Sequence, residues 1–200
     1  MCKVIAVTNR MLCQRNFLEQ IRILGRAGVD QIVLREKDLE ESVYEELAKQ
    51  VLSACKDVSV KCSVHQNIRV AKRLHVKNLH LSLPLAMENR QELEDFDWLG
   101  ISTHSLEQLV EAQKCGADYV FYGHVFSTDC KKGVPSRGLP ALREICKAAE
   151  IPVYAIGGIS PENALWAVEA GAAGICVMSW GMQQSEEVIR AFVEKCHGEN

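Results

Sequence analysis

Residues 152–159 read Pro-Val-Tyr-Ala-Ile-Gly-Gly-Ile, a short apolar run that ends in two glycines. Seven other short runs rich in Val, Ile and Leu occur along the chain, and they do not alternate strictly between apolar and polar residues. Such runs are typical of parallel β-strands that are covered on both faces. The sequence therefore predicts eight strands, at residues 3–8, 31–36, 61–65, 78–83, 98–103, 118–123, 152–157 and 174–179.

Stretches with helical spacing of apolar residues separate these runs. Phe17, Ile21 and Leu24 form one such stripe. Strands that alternate with helices indicate βαβ units, and eight units in 200 residues predict a compact α/β chain, a single-domain (β/α)8 TIM barrel over residues 1–200. A doubly wound open sheet is the alternative, although no GxGxxG motif follows the first strand.

Composition and charge exclude several classes of protein. The formal net charge is −3 and no basic stripe occurs, so we expect no nucleic-acid partner. No apolar run approaches membrane-spanning length and no secretory signal is seen, which predicts a cytoplasmic protein without membrane contact. The nine cysteines sit singly, with no CxxC pair, and indicate reduced thiols packed as small apolar residues.

The predicted ends of the strands carry polar side chains, and active sites of such barrels lie at these carboxyl ends. His124 follows a buried strand at once and is the candidate acid–base residue, because imidazole titrates near neutral pH. Arg35 and Lys37 could direct a cation toward an anionic substrate, or could form an ion network with Glu36. Weaker candidates are His65, His104 and the possible nucleophile Cys130, whereas His75, His80 and His197 are expected to be structural or surface residues.

The seventh and eighth strand ends, the first of which carries two glycines, suggest a phosphate site. Gly157 and Gly158 precede a helix expected to start with Ser160 as its N-cap, and residues 177–179 end the eighth strand. Loops after strands 7 and 8 of barrels commonly hold a phosphate, and a helix N-terminus favours an anion. The alternative is that the glycines only make a tight turn. No carboxylate pair on the rim suits a metal ion, so we expect no metal and no other cofactor.

Five segments on or beside these strand ends form a recognisable set: LREK at 34–37, GISTHS at 100–105, GADYV at 116–120, the G-x-x-F-x-T-x-x-K loop at 123–131 and IPVYAIGGI at 151–159. Together they resemble the thiamin phosphate synthase superfamily over nearly the whole chain. The resemblance implies thiamin biosynthesis and a small phosphorylated substrate.

Two branches share this frame. In the synthase branch, aspartates after strands 3 and 4 are associated with Mg²⁺ and a pyrimidine diphosphate, whereas this chain has Arg69 at one of those positions and no aspartate at the other. The loop at 123–133 is similar to that of TenI-type thiazole tautomerases. That resemblance implies His124 as the proton-transfer residue and phosphate contacts at Gly158, Met178 and Ser179.

Such a tautomerase would need no cofactor or metal, and would act on a carboxythiazole phosphate. Thr128 and Lys131 of the loop after strand 6, with Arg35 and Lys37, are the further candidate substrate contacts. Alternatives are a thiamin phosphate synthase with an unusual diphosphate site and a non-catalytic phosphate-ligand regulator. Apolar Trp180 and Met182, expected to be exposed after strand 8, suggest a homo-oligomer, either a dimer or a tetramer.

Overall fold

The computed structural model describes residues 1–128 and 133–198 and forms a closed parallel barrel. The strands are numbered in chain order and each one pairs with its neighbours in sequence, and β8 closes on β1. Their bounds are β1 Lys3–Val7, β2 Gln31–Leu34, β3 Lys61–His65, β4 Asn78–Ser82, β5 Trp98–Thr103, β6 Tyr119–Gly123, β7 Val153–Ile156 and β8 Gly174–Val177. The predicted (β/α)8 barrel is thus confirmed, and the open sheet is excluded.

Helices cover the outside of this barrel. They are α1 Phe17–Arg26, α2 Glu41–Asp57, α3 Ile68–Arg73, α4 Leu83–Glu88, α5 Arg90–Leu93, α6 Leu106–Lys114, α7 Gly138–Ala148, α8 Ala164–Glu169, α9 Ser179–Gln183 and α10 Glu186–His197. The stripe on α1 packs as predicted, with Ile21 and Leu24 buried. No helix among the described residues is long and apolar enough to cross a membrane.

The core has two layers because successive side chains on a strand point to opposite sides. The larger layer lies between the strands and the helices. The smaller layer fills the barrel interior and comprises Ile5, Val7, Val33, Tyr119, Phe121, Tyr154 and Cys176. All cysteines in the described ranges are free thiols, as the sequence predicts.

Several predicted boundaries differ from the structure. Five of the eight strands end one or two residues before the predicted limit, where the chain turns into the loop or helix that follows. The helix expected to begin after Ser160 begins at Ala164. The Asn163 side chain holds the preceding turn by accepting a hydrogen bond from the Ser160 amide and donating one to the Gly158 carbonyl oxygen. The loop after β7 therefore contains more irregular backbone than the sequence suggested.

The prediction of exposed apolar residues after β8 is wrong. Met182 is fully buried, with its sulfur 3.9 Å from the Cys13 thiol. Trp180 is half-buried and packs edge-on against Phe192, with 4.7 Å between ring centroids. Both side chains belong to the core of this chain, so they give no support to the predicted homo-oligomer.

Candidate functional site

A cavity of about 320 Å³ opens at the carboxyl ends of the strands. Its lining combines cations, imidazoles, hydroxyls and glycine backbone with an apolar floor. The polar and glycine positions are Arg35, Lys37, His65, Gln66, His80, Ser82, Ser102, His104, Gly123, His124, Thr128, Gly157, Gly158 and Ser179, and the apolar side chains include Val7, Val33, Phe121, Cys176 and Met178.

The structure brings most of the predicted site residues together here. Those that line the cavity are Arg35, Lys37, His124, Thr128, Gly157, Gly158, Met178 and Ser179. Lys131 and Cys130 lie outside the described residues. Two of the candidate histidines, His65 and His104, also line the cavity. The cavity therefore lies where the barrel rule predicts a functional site.

One ring nitrogen of His124 is hydrogen-bonded, and the other has no partner among the described residues. Its side chain is buried, and Nε2 lies 3.1 Å from the carbonyl oxygen of Val134. A carbonyl oxygen can only accept, so in the neutral ring Nε2 carries the proton and Nδ1 carries the lone pair. Nδ1 is buried and has no hydrogen-bond partner among residues 1–128 and 133–198. A buried unpartnered acceptor costs free energy, and such groups often mark functional positions.

The backbone that carries His124 is held from several sides. The carbonyl oxygen of Gly123 accepts hydrogen bonds from His104 Nδ1 at 2.7 Å and from Arg137 Nε at 2.9 Å. The amide of Val125 donates to the carbonyl oxygen of Ile156 at 2.9 Å. The His124 side chain is therefore attached to a rigid segment of backbone, and this favours a fixed position of the imidazole in the cavity.

The loops after β6 and β7 contact each other closely. Gly157 has φ +97°, and a Cβ at this position would lie 2.2 Å from His124 Cβ. Gly158 has φ +68°, and its Cβ would lie 2.4 Å from the carbonyl oxygen of Ser127. Only glycine fits both the backbone conformation and the space. Gly157 and Gly158 therefore do more than form a tight turn, because they allow the loop after β7 to pack against the loop after β6.

The side chain of Glu36 has different partners from its sequence neighbours Arg35 and Lys37. Its buried carboxylate accepts hydrogen bonds from Thr8 Oγ1 at 2.7 Å and from Arg10 Nη1 at 3.0 Å. Arg35 and Lys37 line the cavity instead. The cation paired with Glu36 is Arg10, so the predicted network of Glu36 with Arg35 and Lys37 is not the one that forms. The pair of Arg10 and Glu36 anchors the segment from which Arg35 and Lys37 reach the cavity.

Two further imidazoles in the cavity wall are neutral. His65 and His80 stack with their ring centroids 5.9 Å apart. Burial lowers the pKa of His65 to about 2, helped by the neighbouring His80, and burial lowers the pKa of His80 to about 3. Both rings are therefore uncharged at neutral pH. The sequence prediction did not place His80 in the cavity, although its spacing of two from Ser82 puts both residues on one face of the strand.

The donor set does not fit Mg²⁺, the ion that the synthase branch implies. Magnesium prefers carboxylate and other oxygen ligands, and no Asp or Glu lines the described part of the cavity. The described residues also contain no group of three or more His, Cys, Asp or Glu placed to hold a metal. Arg69, at one position where the synthases have an aspartate, is exposed and does not line the cavity.

Fold and site together define a (β/α)8-barrel protein with a cationic, imidazole-rich cavity at the strand ends. A family profile described as "Thiamine monophosphate synthase" matches residues 4–180, and the chain belongs to this family. The family places the chain in thiamine biosynthesis, as the motif resemblance implied, and the family is one of enzymes.

The relatives cover the chain almost completely. A protein named "Thiamine-phosphate synthase 2" from Streptococcus pneumoniae is 32% identical over 202 residues, which cover 98% of this chain and 95% of that protein. A "Putative thiamine-phosphate synthase 2" from Aquifex aeolicus is 32% identical over 180 residues, which cover 88% of this chain and 96% of that protein. The solved structure of a thiamine phosphate pyrophosphorylase from Pyrococcus furiosus superposes with a TM-score of 0.81 at 28% identity, covering 97% of this chain and 96% of that one.

Proposed function

We propose that this chain is a thiazole tautomerase that converts a carboxythiazole phosphate tautomer into its aromatic form. The observation that carries the proposal is the hydrogen bonding of the two ring nitrogens of His124. Its Nε2–H is held by the Val134 carbonyl oxygen, and its Nδ1 lone pair is buried and has no partner among the described residues. This arrangement is what a general base at a fixed position requires.

The substrate fits the cavity with its phosphate on the side of β7 and β8. The glycine loop after β7 offers backbone amides that an anion can approach closely. Met178 and Ser179 follow β8 and complete this end, and Arg35 with Lys37 supplies positive charge for the carboxylate. Thr128 and Lys131, from the loop after β6, are the remaining proposed contacts. Charge-assisted hydrogen bonds of this kind are stronger than neutral ones.

The reaction moves protons only. Nδ1 of His124 removes the proton from thiazole C2, and the ring electrons shift toward the exocyclic double bond. The imidazolium formed in this step then gives a proton to the exocyclic carbon, which restores neutral His124. The product is an isomer of the substrate, so no oxidant or reductant takes part. General acid–base catalysis by a placed side chain typically gives about 10²–10⁴-fold acceleration, and the gain of aromaticity makes the reaction downhill.

A thiamine-phosphate synthase is the second candidate, and the names of the relatives favour it. A synthase must bind a diphosphate, whose charge is usually balanced by a divalent cation held by carboxylates. The described lining of this cavity has cations and no carboxylate. This difference in the donor set makes tautomerisation the better fit.

One experiment separates the two candidates. The purified protein is incubated with the carboxythiazole phosphate tautomer, and separately with pyrimidine diphosphate, thiazole phosphate and Mg²⁺, and both products are followed by NMR. We expect aromatisation in the first reaction and none in the second. His124→Gln should abolish aromatisation and still bind the product, while the exposed His75→Asn should behave as wild type. Robust synthase turnover, or a fully active His124→Gln variant, would refute the proposal.

A further inference from the structure

A chain of hydrogen bonds crosses the barrel interior below the cavity and ends at Ser102. It runs from Trp98 through Gln31 and Tyr119 to His80, and from there to the Ser102 hydroxyl. Of these five side chains, only His80 and Ser102 line the cavity. The chain is called the relay below.

The direction of the first bonds in the relay follows from their chemistry. The indole Nε1–H of Trp98 can only donate, and it lies 3.2 Å from Gln31 Oε1. The amide nitrogen of Gln31 therefore faces the other way. It donates to the Tyr119 hydroxyl at 2.9 Å and to Ser63 Oγ at 2.8 Å.

The remaining contacts fit one tautomer of His80. The Tyr119 oxygen accepts from Gln31 and can donate its single proton to His80 Nδ1, 3.2 Å away. His80 is neutral at pH 7, since burial lowers its pKa to about 3. When Tyr119 donates to Nδ1, the one ring proton of His80 sits on Nε2, which lies 2.9 Å from Ser102 Oγ.

Ser102 consequently accepts from His80 and keeps its own proton for another partner. Its side chain is only half-buried and lines the cavity. We propose that Ser102 donates a hydrogen bond to an acceptor on the heterocycle of the substrate, and that the relay makes it a donor. The proposal rests on the proposed tautomerase function, which supplies the substrate class.

The position of Ser102 in the barrel agrees with this role. With the phosphate at β7 and β8, the heterocycle extends across the barrel toward β3, β4 and β5. A neutral donor there can bond a ring nitrogen without competing with the cations Arg35 and Lys37 for the carboxylate. Such a bond withdraws electron density from the ring as the proton leaves C2, which stabilises the transition state.

The relay also explains a glycine in β5. A Cβ on Gly100 would lie 2.3 Å from the Tyr119 hydroxyl and 2.4 Å from His80 Nδ1. Only glycine leaves room for the contact between these two groups. The sequence thus provides space for the bond that fixes the His80 tautomer.

The relay is tested first without any substrate. In ¹⁵N-histidine-labelled full-length protein, the His80 ring should carry its proton on Nε2 at pH 7. Tyr119→Phe removes the donor to Nδ1 and should shift the His80 ring-nitrogen signals. Tyr154→Phe is the matched control, because it keeps the ring that packs on Tyr119 and removes a nearby interior hydroxyl with no hydrogen bond to the relay. A wild-type His80 protonated on Nδ1 would overturn the inference.

The role of Ser102 is tested by the kinetics of tautomerisation. Ser102→Ala should lower kcat/KM roughly 10-fold, the usual consequence of losing one hydrogen bond. Ser102→Thr keeps a hydroxyl and should restore most of this loss. Tyr119→Phe should lower kcat/KM part of the way toward Ser102→Ala, because nothing then holds His80 in one tautomer. Tyr154→Phe should match wild type.

These results separate the inference from the proposed function. If wild type does not aromatise the tautomer, the proposed function fails. The role of Ser102 is then judged by calorimetric affinity for carboxythiazole phosphate, and an unchanged Kd in Ser102→Ala overturns it. If wild type is active and Ser102→Ala keeps its kcat/KM, only the role of Ser102 fails.

Discussion

Lowering the pH from 7 to 5 should destabilise this protein through two buried imidazoles. His65 and His80 have folded-state pKa values of about 2 and about 3, lowered mainly by burial. In the unfolded chain a histidine has a pKa near 6.5. Between these values the unfolded state binds more protons than the folded state, so stability rises with pH. The contribution is complete above about pH 6.5 and is lost progressively as the pH falls toward 3.

The size of the effect follows from linkage. Each pH unit inside this window costs about 1.4 kcal/mol per histidine, so going from pH 7 to pH 5 removes about 2 kcal/mol for each ring. The two rings together account for about 4 kcal/mol, a large fraction of the 5–15 kcal/mol by which domains are typically stable. Ordinary carboxylates titrate below pH 5, so the change in the free energy of unfolding between pH 7 and pH 5 comes from the histidines.

Urea denaturation at a series of pH values measures this directly. We expect the free energy of unfolding of wild type to fall by about 4 kcal/mol between pH 7 and pH 5. His65→Gln should show about half of that fall. This holds whatever the stability of the variant at pH 7, because the pH dependence of the free energy of unfolding reports proton binding, whereas its value at pH 7 reports packing. A wild-type slope near zero, or an unchanged slope in His65→Gln, would refute neutral burial of these rings.

Three further substitutions should lower the free energy of unfolding at pH 7, each measured by urea denaturation. Gly100→Ala should cost about 3 kcal/mol or more, because the new Cβ would lie 2.4 Å from His80 Nδ1. Tyr44→Phe should cost about 1–3 kcal/mol, since its hydroxyl donates to the Leu34 carbonyl oxygen and accepts from the His65 amide. Glu36→Gln should cost about 2 kcal/mol through weaker bonds to its partners. A loss below about 0.5 kcal/mol would contradict the corresponding contact.

The strands and most of the strand-end residues could be predicted from sequence. Buried parallel strands are continuous apolar runs, a local signal, and the barrel rule then places their polar ends at one site. His124 was found in this way, because it follows directly on such a run. The start of α8 was misplaced for an equally local reason, since Ser160 and Asn163 both suit a helix N-cap and only the fold shows which is used.

The relay and the tautomer of His124 could not be predicted. Gln31 and Tyr119 are 88 residues apart and meet only because β2 and β6 face each other across the closed barrel. His80 lies inside an apolar run, where a single polar residue gives no sign of its partners. The bond from His124 to Val134 joins residues ten apart, and it depends on how the loop after β6 folds back.

The contact of Gly157 with His124 has a consequence for protein engineering. Barrel loops are often regarded as exchangeable parts, each carrying its own function on a common frame. Here the proposed proton-transfer residue and the proposed phosphate loop share a contact that admits no side chain. A graft of the loop after β6 should therefore fail in a barrel whose loop after β7 lacks these glycines, unless that second loop is transferred with it, and in relatives we expect these two segments to vary together.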